Sequence, residues 1–297
     1  MLERTANRVR AAAGPAVLGG AFKRFVSASD RSRGVYPALG ELAARWRETS
    51  PPRGLTAHEL RVFSQNGEDG VLAEVFRRIG IGGGGFVEFG ASDGAEGNAA
   101  FLAQVLGWPG TLLEADEAAF AALERRYAGS PAVRTVRAAV EPGTVEALFD
   151  RAGVPEEPDL LSIDVDGADY WIWEAIVSHR PRVVVVEYNG DLDPREPRVL
   201  PYAKGRRWDH TSGYGASLAA LEALGAQKGY RLVHSELAGV NAFFVREDLA
   251  GPLPAGDDVP RRTASHSLLG HGHPPPRRAP AWHAPRPDGT PARRDPR

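Results

Sequence analysis

The sequence predicts an α/β fold with a seven-stranded, mostly parallel sheet, helices on both faces and a terminal antiparallel hairpin. Between residues 85 and 188, five short apolar runs alternate with helical patterns, as expected of parallel strands joined by right-handed crossovers. The runs 86–89 and 183–186 are apolar without alternation, which is typical of strands covered on both faces. The last two runs are joined by a link too short for a crossover helix, so they should pair as a hairpin.

The predicted elements follow in chain order. Strands are predicted at Gly85–Phe89, Thr111–Ala115, Val133–Ala138, Leu160–Val165, Arg182–Tyr188, Tyr230–Ser235 and Asn241–Arg246. Helices are predicted at Asn98–Leu106, Glu117–Tyr127, Thr144–Ala152, Asp169–Ser178 and Ala216–Lys228. A further amphipathic helix is predicted after Gly70, because Val71, Val75 and Ile79 recur at helical spacing.

Composition divides the 297 residues into three parts. Residues 1–54 form a basic N-terminal extension, in which Leu39, Leu42 and Trp46 predict a short helix over 35–47. Residues 55–250 form the α/β domain. Residues 251–297 are rich in Pro and Arg and are predicted to be a disordered tail.

Charge and composition exclude several classes of protein. Residues 1–50 hold nine basic and four acidic residues, a net charge of +5, and residues 251–297 hold eight and four, a net charge of +4. Since the whole chain carries −2, the residues between carry −11, which argues against nucleic-acid binding. The absence of cysteine excludes disulfide scaffolds, thiolate metal sites and a cysteine nucleophile. No run approaches the ~20 apolar residues of a transmembrane helix, and we predict a cytoplasmic protein, with its oligomeric state left open.

A glycine turn follows the first predicted strand, in the string Glu88-Phe89-Gly90-Ala91-Ser92-Asp93-Gly94. Ligands of open α/β sheets bind beyond the carboxyl ends of the strands, where such a turn admits close approach. The string lacks the third glycine and the spacing of the G-x-G-x-x-G fingerprint for a diphosphate. A phosphate-free cofactor is therefore favoured, and S-adenosylmethionine, whose positive charges suit acidic surroundings, is such a cofactor.

Glu114 closes the second predicted strand, twenty residues after Gly94. A carboxylate there can accept hydrogen bonds from both hydroxyls of a ribose. NAD has the same ribose, so Glu114 does not distinguish between the two cofactors.

Two carboxylates end the fourth predicted strand, in Ser162-Ile163-Asp164-Val165-Asp166-Gly167, and Glu187 ends the fifth. Strand alternation predicts that Asp164 and Asp166 point to the same face. Such a pair repels when ionised and favours a cation beside it, which is a metal, a substrate amine or the cofactor itself. Together with Glu187, the pair could supply the oxygen ligands of a divalent-metal site. The sequence leaves open whether such a site exists.

Transfer of the methyl group of S-adenosylmethionine to a hydroxyl group would also need a base that removes the hydroxyl proton. The candidates are Asp164, Asp166, Glu187 and His210. Histidine, with an ordinary pKa near 6.5, is the most versatile base at neutral pH. His210 lies in a loop with two aromatic residues and two glycines, which opens on the same edge of the sheet. Tail histidines, including His273 and His283, are predicted to be adventitious metal ligands at most.

Three strings resemble those of FkbM-type S-adenosylmethionine-dependent methyltransferases: Phe63-Ser64-Gln65-Asn66-Gly67-Glu68-Asp69-Gly70, Val87 to Gly94, and Ile163-Asp164-Val165-Asp166-Gly167. The resemblance covers about residues 60–248. It implies the Rossmann-like fold of class I methyltransferases and methyl transfer to a hydroxyl of a saccharide or secondary metabolite. The chain departs from the family where Glu88 replaces a common Asp and where Asp166 replaces a common Glu.

The resemblance also implies roles for individual residues. The turn from Glu88 to Gly94, which includes Gly90, Ala91, Ser92 and Asp93, would hold the methionine part of the cofactor. Glu114 would hold the ribose, Ala138 and Ala139 the adenine edge, and Asp164 would lie near the transferred methyl group. Gln65 and Glu68 would be contacts of second rank.

Two other functions remain open from the residues alone. Asp164-Val165-Asp166 is also an Asp-x-Asp string, which in nucleotide-sugar glycosyltransferases holds a divalent metal against a diphosphate. The third possibility is a non-catalytic domain that binds a cofactor, or partner proteins through its basic ends.

Overall fold

The computed structural model describes residues 54–206, 208–264, 273–276 and 280–285. The helix predicted over 35–47 and the other residues of the basic extension up to 53 lie outside the described residues.

The described residues form a seven-stranded sheet in the order β3-β2-β1-β4-β5-β7-β6. Its strands are β1 Phe86–Phe89, β2 Gly110–Glu114, β3 Val133–Arg137, β4 Leu160–Ile163, β5 Val183–Glu187, β6 Tyr230–Ser235 and β7 Asn241–Arg246. Strands β1 to β5 pair in parallel, whereas β7 runs antiparallel between β5 and β6. The predicted fold class is confirmed, including the terminal hairpin.

Six α-helices cover the described part of the sheet. They are α1 Glu68–Ile79, α2 Ala100–Gln104, α3 Glu117–Tyr127, α4 Val145–Ala152, α5 Asp169–Ala175 and α6 Leu218–Gln227, with 3-10 turns at Gly54–His58 and Gly256–Asp258. Helix α5 ends three residues earlier than predicted, because Ile176 adopts an extended conformation with ψ 113°. Within the described residues, no helix combines the length and the apolarity needed to cross a bilayer.

Two hydrophobic cores lie on opposite faces of the sheet. One contains Val184 and Val186 with side chains of α4, α5 and α6, and the other contains Val183 and Val185 with side chains of α1 and α3. Neighbouring residues of β5 are thus buried on opposite faces. This explains why the central strands read as continuous apolar runs.

The described parts of the segment after residue 250 pack against the domain, which differs from the disordered tail that composition predicts. Leu253 and Ala264 are buried, and the Ala264 amide donates to the carbonyl oxygen of Gly190 over 2.8 Å. The approach requires glycine: a Cβ at Gly190 would lie 2.7 Å from the Ala264 nitrogen, and one at Gly239 would lie 2.3 Å from the Thr263 oxygen. Composition does not reveal contacts of this kind because backbone groups make them.

Candidate functional site

The turn after β1 closes directly onto the chain leaving β4. Gly90 has φ +71°, and a Cβ there would lie 1.8 Å from the carbonyl oxygen of Asp164. Glycine alone adopts this conformation without a steric penalty. The next residue, Ala91, is buried and donates its amide to the Leu113 carbonyl over 3.1 Å. The turn is therefore held between the ends of β2 and β4.

Glu114, at the end of β2, is bonded to this turn. Its carboxylate accepts the amides of Ser92 over 2.8 Å and Asp116 over 2.7 Å, and Ser92 itself adopts a left-handed φ of +49°. The Glu114 carbonyl accepts the amide of Ala138 over 3.0 Å, which places the end of β3 alongside, while Ala139 is exposed. The structure thus brings together the turn, the predicted ribose carboxylate and the predicted adenine edge.

The end of the turn packs on α3. A Cβ at Gly94, where φ is +70°, would lie 2.6 Å from side-chain atoms of Leu123 and Tyr127. The side chain of Asp93 accepts the Ala95 amide over 3.0 Å, so it shapes the turn.

Glu88 is buried, and its carboxylate accepts the amides of Asn98 over 2.7 Å and Ala99 over 3.2 Å. Burial raises the pKa of Glu88 to about 7, although the two amide hydrogen bonds favour its charged form. The carboxylate also requires a small neighbour, since a Cβ at Gly97 would lie 2.9 Å from Glu88 Oε2. Glu88 therefore connects β1 to the loop that leads into α2.

Asp164, Asp166 and Glu187 place carboxylate oxygens within 4.8 Å of one another. The sequence pattern predicts Asp164 and Asp166 on one face through strand alternation, but β4 ends at Ile163. The carboxylates of Asp164 and Asp166 come together instead because the chain turns at Asp166, where φ is +57°. Burial raises the pKa of Asp164 well above its usual range, and the negative charges of Asp169 and Asp166 add to this. We call Asp164, Asp166 and Glu187 the acidic cluster.

Asp169 shapes the loop that carries the acidic cluster. It is buried and accepts the amides of Val165 and Gly167, each over 2.8 Å. Burial raises the pKa of Asp169 to about 6. Its role is structural, because its carboxylate holds the loop that precedes α5.

The Ser64–Gly70 motif fastens the N-terminal loop to the domain. One oxygen of Asp69 accepts the amides of Val62, Phe63 and Ser64 over 2.7 to 2.8 Å. Gln65 is exposed. Glu68 accepts the Asn241 side-chain amide over 2.8 Å and its negative charge raises the pKa of Asp164. Glu68 thus influences the acidic cluster through its charge, and its contact with a cofactor stays a prediction.

A buried pair beside this motif has no counterpart in the sequence reasoning. His234 Nε2 lies 2.9 Å from Glu59 Oε1, and both side chains are essentially inaccessible. Burial lowers the pKa of His234 to about 3. The two residues are 175 positions apart, so no local pattern indicates their contact.

The loop at 208–215 lies at the carboxyl end of β5, as predicted. The side-chain amide of Asn189 donates to the carbonyl oxygens of Ser212 and Tyr214 over 2.9 and 2.8 Å. His210 is exposed, has φ +62° and stacks on Trp208 with ring centroids 4.7 Å apart.

His273, which the sequence pattern assigns to the tail, lies at the same loop. Its Nδ1 is 2.7 Å from Asp191 Oδ2, and its ring meets those of Trp208 and Tyr214 edge-on at 4.8 and 5.7 Å. Sequence reasoning missed this residue because its partners lie about 60 to 80 positions away.

Comparisons with known proteins leave the chain without a family. No family model matches it, and no curated protein matches it. Among solved structures, the N-terminal domain of EvdMO1 with SAH bound is 16% identical over 60% of this chain and 79% of that one, with a TM-score of 0.39. A putative caffeoyl-CoA O-methyltransferase from Staphylococcus aureus is 13% identical over 71% and 92%, with a TM-score of 0.40. The glycopeptide N-methyltransferase MtfA complexed with sinefungin is 17% identical over 66% and 99%, with a TM-score of 0.35. Likenesses at this identity and TM-score carry no argument about the function of the chain.

Proposed function

We propose that the chain is an S-adenosylmethionine-dependent methyltransferase of FkbM type that methylates a hydroxyl group of a saccharide or secondary metabolite. One observation carries the proposal. At the switch point between β1 and β4, the Gly90 turn is bonded to Glu114 and abuts Asp164. A switch point is where open α/β sheets bind ligands, and this one is lined by carboxylates.

The turn suits a phosphate-free cation better than a diphosphate. Anion sites of this kind need free backbone amides. Here the amide of Ala91 donates to Leu113, that of Ser92 to Glu114 and that of Gly94 to the Ala91 carbonyl over 2.9 Å. Because these amides already donate hydrogen bonds within the protein, they do not offer the usual phosphate contacts to NAD or a nucleotide sugar. A sulfonium ion is instead stabilised by the nearby carboxylates.

The residues present fit S-adenosylmethionine, which supplies an electrophilic methyl group when bound. In the proposal, the turn from Glu88 to Gly94 holds the methionine part, Glu114 the ribose, and Ala138 and Ala139 the adenine edge. Gln65 and Glu68 make lesser contacts.

On the reaction side, Asp164 lies beside the transferred methyl group, and Asp166 and His210 lie toward the acceptor. The role of the chain is chiefly to align the acceptor oxygen with the methyl carbon. Such positioning supplies roughly 7–11 kcal/mol in well-oriented reactions.

Calorimetric titration tests the cofactor. We expect S-adenosylmethionine and its demethylated product to bind, and NAD not to bind. Glu114→Gln should weaken binding by roughly 10–100-fold, because a hydrogen bond to a charged group contributes about 1.5–3 kcal/mol. Glu117→Gln is the matched control, since the Glu117 side chain is 80% exposed. Absence of binding to folded wild-type protein would refute the proposal.

Mass spectrometry tests the reaction. Purified protein is incubated with a polar metabolite extract and S-adenosylmethionine carrying a deuterated methyl group. The expected result is an extract component that gains the label on oxygen. Label on nitrogen or carbon would reject the hydroxyl acceptor while keeping the methyltransferase.

The acidic cluster favours one alternative, a metal-dependent glycosyltransferase. Its three carboxylates offer the oxygen ligands that hard divalent cations take. Thermal stabilisation by a nucleotide sugar with Mn²⁺, and none by S-adenosylmethionine, would select this alternative.

A further inference from the structure

A cavity of about 320 Å³ lies in the loops that follow β5, and part of its wall comes from described residues after 264. Its lining includes Asp191, Leu192, Ser212, His273, Pro276 and Trp282. The lining combines a carboxylate, a hydroxyl and an imidazole with apolar surfaces, as small-molecule sites commonly do.

The wall is packed onto the domain. The Ser212 amide donates to the Pro274 carbonyl over 2.9 Å, and Val199 and His283 exchange two backbone hydrogen bonds of 2.8 and 2.9 Å. A Cβ at Gly213 would lie 3.1 Å from Pro276, so the loop at 208–215 and the wall fit together at a glycine.

Tyr214 connects this cavity to the acidic cluster. It is buried, and its ring centroid lies 5.7 Å from that of His273. Burial raises the pKa of Tyr214 well above its usual range, and the negative charges of Glu187, Asp191 and Asp164 add to this. A Cβ at Gly167, the residue after Asp166, would lie 3.8 Å from the Tyr214 Cβ. Tyr214 therefore contacts the loop that carries the acidic cluster on one side and approaches His273 on the other.

The contact between His273 and Asp191 is the arrangement of a general base. A carboxylate that accepts the Nδ1 proton fixes the tautomer, leaves Nε2 to accept a proton and stabilises the resulting imidazolium. We propose that this cavity receives the methyl acceptor and that His273, oriented by Asp191, removes the proton from its hydroxyl group. This inference rests on the proposed function.

The step balances without a further reagent. A lone pair of the acceptor oxygen forms the bond to the methyl carbon, and the electron pair of the breaking carbon–sulfur bond returns to sulfur. The acceptor proton passes to Nε2 of His273 and then to solvent. Asp191 keeps its negative charge throughout.

Other histidines of the described residues are less suited. His234 is wholly buried against Glu59, and His179 pairs with Glu146 at 3.2 Å. Neither histidine lines the cavity. His210 stacks on Trp208 and is exposed. Among the residues that line the cavity, His273 alone is a histidine.

The first experiment measures transfer of the deuterated methyl group to the polar metabolite extract. His273→Gln should slow transfer by about 100-fold or more, within the range of general-base contributions. Asp191→Asn should slow it by at least about tenfold, since the tautomer is no longer fixed. His283→Gln is the matched control: it lies in the same segment, its side chain is exposed, and its transfer rate should stay within about twofold of wild type.

Calorimetry with S-adenosylmethionine on the same variants separates this inference from the proposed function. Intact binding with wild-type transfer by His273→Gln would overturn the dyad alone. Loss of transfer in His210→Gln but not in His273→Gln would also overturn it, in favour of His210. Failure of the wild type to bind S-adenosylmethionine would overturn the proposed function.

A second measurement needs no acceptor. Histidine side-chain NMR of the full chain reports which ring nitrogen carries the proton. The neutral His273 ring should be protonated on Nδ1, and Asp191→Asn should shift the population away from that tautomer. A wild-type ring protonated on Nε2 would overturn the inference, because that nitrogen is then unable to accept a proton.

Discussion

Replacement of Gly90 by alanine should disrupt the cofactor site from its centre. The new Cβ would lie 1.8 Å from the Asp164 carbonyl oxygen, whereas ordinary contact begins near 3.4 Å. Relief therefore requires a displacement of about 1.6 Å, the difference between these distances. The position of the Cβ is fixed by the backbone of residue 90, and the atom it meets is a backbone oxygen. Rotation of a side chain therefore does not relieve the clash.

The magnitude has two components. An L-residue in the left-handed region costs roughly 1–2 kcal/mol, and overpacking typically adds 1–3 kcal/mol. Gly90→Ala should therefore lower the free energy of unfolding by about 2–5 kcal/mol. Because the displaced strand end carries Asp164, affinity for S-adenosylmethionine should fall by at least about tenfold.

Gly107→Ala is the matched control. Gly107 has φ +67°, close to that of Gly90, but a Cβ there has nothing within 4 Å. Denaturant unfolding and calorimetry of both variants separate conformational strain from the clash. Equal losses of stability, or wild-type cofactor affinity in Gly90→Ala, would refute the reasoning.

Three further predictions concern titratable groups. Burial raises the pKa of Glu88 from 4.5 to about 7. Its contribution to the free energy of unfolding is therefore complete below pH 4.5 and is lost as the pH rises through about 7. In denaturant unfolding, Glu88→Gln should remove about 3 kcal/mol of this pH dependence. Burial lowers the pKa of His234 from 6.5 to about 3, so its contribution is present above pH 6.5 and is lost toward pH 3; His234→Gln should flatten this acid limb by up to about 5 kcal/mol. Asp166→Asn should lower the pKa of Asp164 in a carboxylate NMR titration, because it removes one of the negative charges that raise this pKa, and the rate of methyl transfer should fall.

Each prediction has a result that contradicts it. An unchanged pH slope between 4.5 and 7 in Glu88→Gln would mean that Glu88 is ionised in the folded protein without penalty. An unchanged acid limb in His234→Gln would assign acid unfolding to other groups. An unchanged pKa of Asp164 in Asp166→Asn would show that the charge of Asp166 does not act on Asp164.

The strands were predictable because burial on both faces leaves a strong signal in sequence. All seven predicted strands occur in the structure, and β6 and β7 have the predicted bounds. The ends of elements were less predictable, since they depend on single backbone conformations. The extended Ile176 that ends α5 and the turn after Ile163 have no hydrophobic periodicity to indicate them.

The placement of the candidate site residues along one edge of the sheet was predictable where they adjoin strand ends. The turn at Gly90, Glu114 and the acidic cluster all follow parallel strands, whose carboxyl ends share one edge of the sheet. Glu88 shows the limit of this reasoning. Its position was predicted, but its carboxylate bonds to Asn98 and Ala99, and the conformation of that loop is set by tertiary packing.

Contacts across long sequence separations explain why composition did not indicate how the described residues after 250 pack against the domain. Its prolines and arginines resemble those of disordered chains, because composition records how little apolar surface a segment can bury. Its described residues contact the domain through backbone hydrogen bonds at Gly190 and Ser212 and through the pairing of His273 with Asp191. Such contacts need few apolar residues, since the partner surface is already folded. A segment with a tail-like composition can therefore complete a cavity. A variant that lacks the residues after 264 should be assayed for transfer of the methyl group as well as for stability.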